Sequence, residues 1–399
     1  MADQTLARLV NERRVLTLLR INGALTRAEV ARRLLLTRAT ITHVVDDLIQ
    51  RGLLLENPLP DADRRGRREL GRPGIDVRLA PNGGYFLGVE IGVGLIRLAL
   101  LDLAVQVVEQ SVVECSPDIL PDAALDIVER EFMHLSRHPD YVGRIRAIGL
   151  TAPGLVRADG FVVHLPILGW KGVNLLLLAE RRFSLPVTVE NNANAAAFGE
   201  VYTRPGLQQD AIVSLKLGTG CGGAAIIKGR LLRGAAGTAT EFGHLRIAGD
   251  GPLCSCGQHG CLEPSVNLAA LKAGFEPSRH FSEAKLRALP ARVARLMARG
   301  DTAAAQAVGK IADALERGLV TLTNIFNPQV IVLGGMMRPV IEQCLSRLQA
   351  HVAAAVVPGM LVPDIRLSHL GDMECAIGAA TLAHHDAVDI SHLELDALP

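Results

Sequence analysis

The chain has 399 residues, of which 49% are hydrophobic and 3% aromatic, and its 42 Lys and Arg nearly balance 41 Asp and Glu. This composition excludes intrinsically disordered, collagen-like and disulfide-scaffold proteins, and the length predicts two or three domains. The apolar run 93–105 contains Arg97 and Asp102, so it is too short to span a membrane, and the charged N-terminus is unlike a signal peptide. We therefore expect a soluble, cytoplasmic protein with no membrane contact.

Charge is distributed unevenly along the chain. Residues 1–80 contain 15 arginines, no lysine and 10 acidic residues, a balance of +5, whereas the remainder has a balance of −4. Arginine suits contacts with phosphates and base edges better than lysine does. A basic module on a mildly acidic body indicates that only the module binds nucleic acid, although a solvated basic face would give the same charge.

Three helices are predicted in this basic module. Apolar residues recur at helical spacing over 5–21, and Asn22-Gly23 ends that helix. Thr26 and Glu29 have the spacing of a capping box at the start of a short second helix. Thr37 can cap a third helix over 38–51, whose polar front residues face outward.

This order of helices is typical of a helix-turn-helix protein, in which the front of the third helix enters the major groove. The Arg- and Gly-rich segment 61–74 is typical of a wing or arm that contacts phosphates or the minor groove. The alternative is a three-helix packing module with a flexible basic linker. DNA contacts are predicted for residues at the front of the third helix and in the wing: Thr37, Arg38, Thr40, Thr42, His43, Arg67, Arg68 and Arg72.

From residue 85 onward the pattern predicts strands that alternate with helices. The predicted strands of a first set lie at 85–91, 95–101, 105–113, 145–151 and 186–189, with helices near 121–137 and 172–182. A second set begins with strands at 211–217, 222–227 and 330–333. Two successive βββαβα-like halves predict an α/β architecture with two lobes and a cleft between them.

Two segments of the body each have two interpretations. The glycine-rich loop 217–223 can bring backbone N–H groups and the Thr219 hydroxyl close to a phosphate, but such turns between strands are also common. Asn191 and Asn192 stand at a predicted strand-to-helix junction, where amides cap helices or bind ligand hydroxyls. Neither residue can act as a general base, because a carboxamide does not titrate near neutral pH.

One imidazole and three thiols give the strongest local signal in the sequence. His244, Cys254, Cys256 and Cys261 form a soft, closed set of four ligands that suits structural Zn²⁺. The Cys-x-Cys-x4-Cys spacing is unusual for zinc fingers, and His259 is an alternative ligand. The odd number of cysteines, seven, argues against a disulfide framework.

The sequence resembles the ROK family of repressors, open-reading-frame proteins and sugar kinases over nearly all of residues 5–385. The resemblance rests on Glu-Phe-Gly-His at 241–244 and Cys-Ser-Cys-Gly-Gln-His-Gly-Cys-Leu-Glu at 254–263, with Thr240 in place of a leading family glycine. Segments 152–156, 169–175 and 327–335 are similar to further family landmarks. The N-terminal helices followed by Gly-Arg-Pro at 71–73 resemble the branch of xylose-, N-acetylglucosamine- and glucose-responsive repressors.

The resemblance implies an α/β fold with an N-terminal winged helix-turn-helix and a two-lobed, actin-like (RNase H-like) body that closes over a sugar. It implies zinc at His244, Cys254, Cys256 and Cys261, and sugar contacts from Asn191, Asn192, Glu241, His244 and Glu263. The predicted domains are a DNA-binding domain (1–80), an N-terminal lobe (81–190, with part of the C-terminal helix 375–386) and a C-terminal lobe (191–399). The last of these is expected to carry the zinc site and the dimerisation surface.

Two departures from the family pattern argue against catalysis. ROK kinases have a catalytic Asp where Asn192 stands, and their phosphate loop Asp-x-Gly-Gly-Thr is replaced by Glu-Ile-Gly-Val-Gly at 90–94. Loss of a general base typically costs about 10²–10⁴-fold in rate. We expect a non-enzymatic, sugar-responsive repressor of carbohydrate-metabolism genes that binds operator DNA as a homodimer or tetramer. The alternatives are an active ATP-dependent sugar kinase with a DNA-binding domain, and a repressor whose signal is a partner protein.

Overall fold

The computed structural model describes residues 2–58, 75–204, 211–278 and 280–389. The chain divides into two units. The first unit contains Met1–Leu150, Asn174–Val189 and Ala379–Pro399, and the second contains Thr151–Val173 and Glu190–Gly378. The three-domain division at residues 80 and 190 stays a prediction. Within the described residues, no helix combines the length and hydropathy needed to cross a membrane.

The N-terminal module contains three helices and a small antiparallel sheet of order β1-β3-β2. Its elements are α1 (Ala2–Asn22), β1 (Leu25–Thr26), α2 (Arg27–Leu34), α3 (Arg38–Gln50), β2 (Leu54–Pro58) and β3 (Ile75–Leu79). The capping box is confirmed, because the Thr26 hydroxyl accepts from Glu29 N while the Glu29 carboxylate accepts from Thr26 N. The Thr37 hydroxyl accepts from Thr40 N and starts α3. The three predicted helices are therefore confirmed.

The predicted wing, 61–74, falls outside the described residues, and Arg67, Arg68 and Arg72 lie in it. The strands on either side of it, β2 and β3, pair antiparallel with Leu54 opposite Leu79 and Pro58 opposite Ile75. This pairing is the one that a wing hairpin requires at its base.

The first five-stranded sheet has the order β11-β7-β4-β5-β6. Its strands and the helices that follow or connect them are β4 (Tyr85–Ile91), β5 (Leu95–Asp102), β6 (Val107–Glu114), α4 (Pro121–Ser136), β7 (Ile145–Ala152), α5 (Leu175–Glu180), β11 (Val187–Asn191) and α6 (Asn192–Tyr202). Between β7 and α5 lies a small sheet formed by β8 (Leu155–Val156), β9 (Phe161–Leu165) and β10 (Trp170–Asn174).

The second five-stranded sheet, in the second unit, has the order β14-β13-β12-β15-β16. Its strands are β12 (Ile212–Leu217), β13 (Cys221–Ile227), β14 (Arg230–Leu231), β15 (Val330–Gly334) and β16 (Asp364–Leu367). The accompanying helices are α7 (Glu263–Val266), α8 (Leu268–Phe275), α9 (Glu283–Arg287), α10 (Leu289–Met297), α11 (Thr302–Phe326) and α12 (Arg338–Ala355). The last helix, α13 (Glu374–Val388), begins in the second unit and belongs to the first unit from Ala379 onward. Both sheets consist of a three-stranded meander followed by two crossover strands beside its first strand, which confirms the predicted duplication.

Two secondary-structure predictions are wrong at their edges. The helix predicted at 172–182 begins only at Leu175, because Gly172 has φ +65° within β10 and the Asn174 side chain caps the helix by accepting from Leu177 N. The strand predicted at 105–113 begins at Val107, because Val105 adopts φ +64° in the turn after β5.

The hydrophobic core of the N-terminal module continues into the first unit's sheet layer. Val15, Leu16 and Leu19 of α1 belong to one buried cluster with Phe86, Leu103, Ala147, Ala383 and Val388. The C-terminal half of α13 is therefore part of the same core as the first helix. A buried polar residue fixes this packing: His384 Nε2 donates to the Leu103 carbonyl oxygen at 3.0 Å, and its ring lies 4.5 Å from that of Phe86. Burial lowers the pKa of His384 to about 3, so the imidazole is neutral.

Candidate functional site

The four predicted metal ligands come together in the second unit. The ligand atoms of His244, Cys254, Cys256 and Cys261 all lie within 4.8 Å of one another. Cys254 Sγ is 3.4 Å from His244 Nδ1, and Cys256 Sγ is 3.7 Å from Cys261 Sγ. Two sulfurs bound at ~2.3 Å to one tetrahedral ion would be about 3.8 Å apart, so this His/Cys3 cluster has the size and chemistry of a four-coordinate metal site.

Backbone geometry brings these ligands together although they are distant in sequence. A 3-10 turn, Phe242–His244, supplies the imidazole, and the bridges Arg246↔Cys261 and Leu253↔His259 close the cysteine loop. Gly260 allows this closure, because it has φ +78° and a Cβ at this position would lie 2.0 Å from Ala248 O. His259 is not part of the cluster, since its Nδ1 pairs with Gly251 O at 3.0 Å.

Glu263 connects the cysteine loop to the glycine-rich loop. One of its carboxylate oxygens accepts from Cys221 N at 3.0 Å, and the other accepts from the Ser255 hydroxyl at 3.2 Å. A Cβ on Gly220 would come within 2.8 Å of the first oxygen, so glycine is needed for this approach. Glu263 therefore holds the cysteine loop and the glycine-rich loop together through its two carboxylate oxygens.

The glycine-rich loop 217–223 is a tight hairpin between β12 and β13, with Leu217 paired to Cys221. Two of its glycines lie against other elements. A Cβ on Gly222 would lie 2.7 Å from Ala193 Cβ of α6, and one on Gly223 would lie 2.7 Å from Phe242 Cβ. Close packing therefore explains these glycines without a bound phosphate, which supports the structural interpretation of the loop.

Asn191 caps α6 and also holds a neighbouring loop. Its Oδ1 accepts from Ala193 N at 2.7 Å and Asn194 N at 3.2 Å, while its Nδ2 donates to Gly154 O at 2.7 Å. The capping interpretation is confirmed, and one amide hydrogen remains for a ligand. Asn192, the first residue of α6, is buried, and its carbonyl oxygen accepts from Cys375 Sγ at 3.4 Å.

A buried ion pair beside Asn191 was not predicted from the sequence. The Glu190 carboxylate accepts from Asn191 N, from Asn194 Nδ2 and from Arg233 Nη1. Glu190 is 2% exposed, and an uncompensated carboxylate at that depth would be costly. Glu190 and Arg233 are 43 residues apart, so no local pattern could indicate the pair.

Glu241 lies close enough to His244 and Glu263 for their charges to interact. It is exposed to solvent on one side, but the surrounding protein desolvates its carboxyl and raises its pKa, with the Glu263 charge acting in the same direction and His244 opposing both. Thr240 precedes it with φ +70°, a left-handed conformation that is unfavourable for a β-branched residue. This is the position at which the family pattern has glycine, so the substitution places backbone strain beside Glu241.

The segment that departs from the kinase phosphate loop lies in the first unit, at the β4–β5 hairpin. Gly92 N donates to Leu95 O at 2.9 Å and closes the turn. Glu90 is opposite Arg97 in the strand register, and its carboxylate accepts from the Arg97 guanidinium at 3.1 Å. The carboxylate at the start of this loop is thus bound to a cation that the protein itself supplies.

The predicted reading surface at the front of α3 is free of core contacts. Thr37, Arg38, Thr42 and His43 are exposed and Thr40 is half-buried, while Ile41, Val44, Val45 and Leu48 face the core. Arg27 holds the helix in place by pairing with Asp46 of α3 and with Glu56 of β2. The orientation predicted from the apolar stripe is therefore present.

The chain belongs to the ROK family, whose model matches residues 86–386. The predicted fold class, an N-terminal helix-turn-helix with a two-lobed, actin-like ROK body of α/β type, is confirmed by similarity to a solved ROK family transcriptional regulator described as a homolog of E. coli MLC protein, while the wing stays a prediction. That similarity has a TM-score of 0.77 at 23% identity and covers 96% of this chain and 98% of that one.

Curated relatives include both repressors and kinases. The chain is 28% identical to a xylose repressor of Bacillus subtilis over 397 residues, which is 98% of either protein. It is 31% identical to a glucokinase of Streptomyces coelicolor over 325 residues, which is 75% of this chain and 98% of the relative. A solved ROK glucokinase from Streptomyces griseus, in complex with glucose and AMPPNP, matches 76% of this chain with a TM-score of 0.61 at 26% identity.

Proposed function

We propose that this protein is a sugar-responsive transcriptional repressor that binds operator DNA as a homodimer or tetramer. The observation that carries the proposal is the extent of the similarity: xylose repressors align with 97–98% of the chain, including the N-terminal module, whereas the glucokinases align with 75% or less. The exposed polar front of α3 supports a major-groove contact by Thr37, Arg38, Thr40, Thr42 and His43. Arg67, Arg68 and Arg72 would add contacts from the wing.

The effector site is formed by polar groups of the second unit. Glu241 and Glu263 would accept hydrogen bonds from sugar hydroxyls, and Asn191 has one amide hydrogen left for a ligand oxygen. Asn192, the first residue of α6, would add a second amide contact to the sugar. His244 would bind the metal through Nδ1, which leaves its other ring nitrogen for the sugar. Carboxylates, amides and an imidazole are groups suited to vicinal hydroxyls.

The metal that fits the His/Cys3 cluster is Zn²⁺. His244, Cys254, Cys256 and Cys261 would fill four tetrahedral positions, so the ion would be structural and would not present an open site to a substrate. When bound, it would supply a fixed anchor between the 3-10 turn at 242–244 and the cysteine loop. The turn and the loop then place Glu241 and Glu263, which act on the sugar directly.

Kinase activity is not part of the proposal. Asn192 cannot take the proton of a sugar hydroxyl, and the Glu90 carboxylate is occupied by Arg97. The second candidate, an active sugar kinase with a DNA-binding domain, is favoured by the matches to glucokinases. An active kinase would require a general base other than residue 192 and a phosphate-binding loop other than residues 90–94.

Packing inside the first unit connects the N-terminal module mechanically to the rest of that unit, so a change in the body can alter DNA binding. The module shares one core with β4, β7 and α13, so it cannot move as a freely tethered domain. A coupling free energy of ~1–3 kcal/mol between effector and DNA would change operator affinity about 5–150-fold.

The test combines three measurements on the full chain. DNA from upstream of its own and neighbouring genes is titrated by fluorescence anisotropy, with and without xylose, glucose or N-acetylglucosamine. The same sugars are screened by thermal shift, and ATP-dependent phosphorylation is followed in a coupled assay. Arg38→Ala should weaken DNA binding with little change in stability, whereas Arg130→Ala on α4 serves as an exposed control.

We expect sequence-specific DNA binding, a sugar that shifts both the thermal stability and the DNA affinity of the protein, and no ATP-dependent phosphorylation of any sugar. Turnover at ordinary enzymatic rates would support the kinase instead. Specific DNA binding with no response to any sugar would support a repressor signalled by a partner protein.

A further inference from the structure

A cavity of about 480 Å³ lies inside the first unit, where the N-terminal module packs on the sheet layer. One wall is α1 with the segment that joins α3 to β2. The opposite wall comes from the turn before β4, from β4 and β7, and from the end of α13. This volume is within the range of small-molecule sites, about 300–1,000 Å³.

The polar lining of the cavity is rich in donors and poor in free acceptors. Arg13, Arg51 and Arg146 contribute three guanidinium groups, and Glu12 is the one carboxylate among the lining residues. Both Glu12 oxygens are already used, one by Arg8 at 3.0 Å and the other by Arg51 at 2.6 Å. The remaining positive charge therefore comes from Arg13 and Arg146.

These two arginines have donors to spare. Arg13 Nη1 donates to the Asp389 carbonyl oxygen at 3.0 Å, but its Nε is buried and has no acceptor within the described parts of the chain. Arg146 is an exposed residue at the rim of the cavity; its aliphatic stem lies over Gly84, and its guanidinium has no hydrogen-bond or ion-pair partner among the same residues. A buried donor without an acceptor at Arg13, together with the positive charge of Arg146 at the rim, favours an anion.

The rest of the lining is mostly apolar side chains, with two glycines: Leu9, Leu16, Leu53, Phe86, Leu103, Ala387 and Val388, and Gly83 and Gly84. The C–H face of a free sugar is small and is surrounded by hydroxyls that would find few partners on this hydrocarbon lining, and inorganic phosphate would leave the lining exposed to water. The lining therefore fits a molecule with one anionic group and a compact apolar body.

The two walls touch beside the cavity. A Cβ on Gly83 would lie 2.5 Å from Gly52 O, and Ala80 N donates to Leu53 O at 2.9 Å. An occupant would contact the module and the sheet layer together, so it would stabilise one spacing between them.

We propose that this cavity is a second effector site, which binds a small organic carboxylate with an apolar body. The carboxylate pairs with Arg13 and Arg146, and the apolar body packs against Phe86 and the surrounding leucines. The site is separate from the sugar-binding residues, which all lie in the second unit. It would let a second metabolite class act on the DNA-binding module.

The probe is phenylacetate, titrated into the full chain by isothermal calorimetry without DNA or sugar, with phenylacetamide as the neutral isostere. We expect saturable 1:1 binding of phenylacetate and at least about tenfold weaker binding of the amide. Arg146→Gln should weaken phenylacetate binding by a similar factor, and it removes no hydrogen bond within the described residues. Arg144→Gln removes an arginine two residues earlier that is exposed like Arg146 but does not line the cavity, so this variant should bind phenylacetate like the wild type.

Equal binding of acid and amide would overturn the proposal, as would equal effects of the two glutamine variants or no saturable binding at millimolar concentration. Because neither DNA nor sugar is present, these outcomes are independent of the proposed repressor function. A thermal shift that grows with phenylacetate concentration in the wild type, and is lost in Arg146→Gln, would support it further.

Discussion

Replacing Asn191 by alanine tests how strongly the start of α6 is held at the candidate sugar site. The substitution removes a cap that accepts from Ala193 N and Asn194 N, and it removes the bond to Gly154 O. Loss of such a cap costs about 1 kcal/mol. Loss of the bond to the carbonyl costs about another 1 kcal/mol. Local opening of this helix start should therefore become easier by about 2 kcal/mol, which is about 30-fold in an equilibrium constant.

Hydrogen exchange measured by mass spectrometry reads this change locally, in peptides that cover 191–202. The matched control is Asn174→Ala, which removes a single cap at Leu177 N of α5. It should raise exchange about fivefold in α5 and leave α6 unchanged. Asn191→Asp keeps the acceptor but loses the donor to Gly154, so it should fall between wild type and Asn191→Ala. If Asn191→Ala changes exchange no more than the control does, the double role assigned to Asn191 is wrong.

Three further outcomes are expected. Chelation should release one metal ion per chain and speed proteolysis within 244–263, measured by elemental analysis and peptide mapping; metal-free protein with unchanged cleavage would contradict the structural role. Asn192→Asp should stay at background in a coupled kinase assay, because Glu90 remains bound to Arg97, and restored turnover would refute this reasoning. His384→Gln keeps a donor for Leu103 O but has no group that titrates. Between pH 6.5 and about 3 the unfolded histidine binds a proton that the buried one does not, so His384 makes the free energy of unfolding fall by about 1.4 kcal/mol for each pH unit of acidification. The variant should lack this contribution to the pH dependence. Denaturant midpoints that show the same pH slope in both proteins would argue against a neutral His384.

Local chemistry made much of the fold predictable from the sequence. The capping box at Thr26 and Glu29 depends on residues three apart, and β4 was predicted to the residue because its apolar run ends at turn signals. The metal ligands were predictable because soft donors at short spacing have few other uses in such a protein. The choice of His244 over His259 needed the structure, since both stand near the cysteines.

Features that depend on distant packing were not predictable. The Glu190–Arg233 pair and the association of α1 with α13 join residues that are far apart in sequence, and no local pattern encodes either one. The sequence predicts a start of α5 at residue 172 because the segment is apolar, but Gly172 adopts a positive φ and the helix begins at Leu175. The strain at Thr240 became visible only with its backbone angle, although the missing glycine was noted in the sequence.

The shared core of α1 and α13 has a consequence for how the protein is made. Val15, Leu16 and Leu19 leave the ribosome early, but Ala383 and Val388, which complete their packing, are synthesised more than 360 residues later. Nascent chains generally fold from the N-terminus as segments emerge. The apolar flank of the N-terminal module therefore stays uncovered until translation has passed residue 388, and during that time the nascent chain exposes a surface suited to chaperones that bind apolar segments.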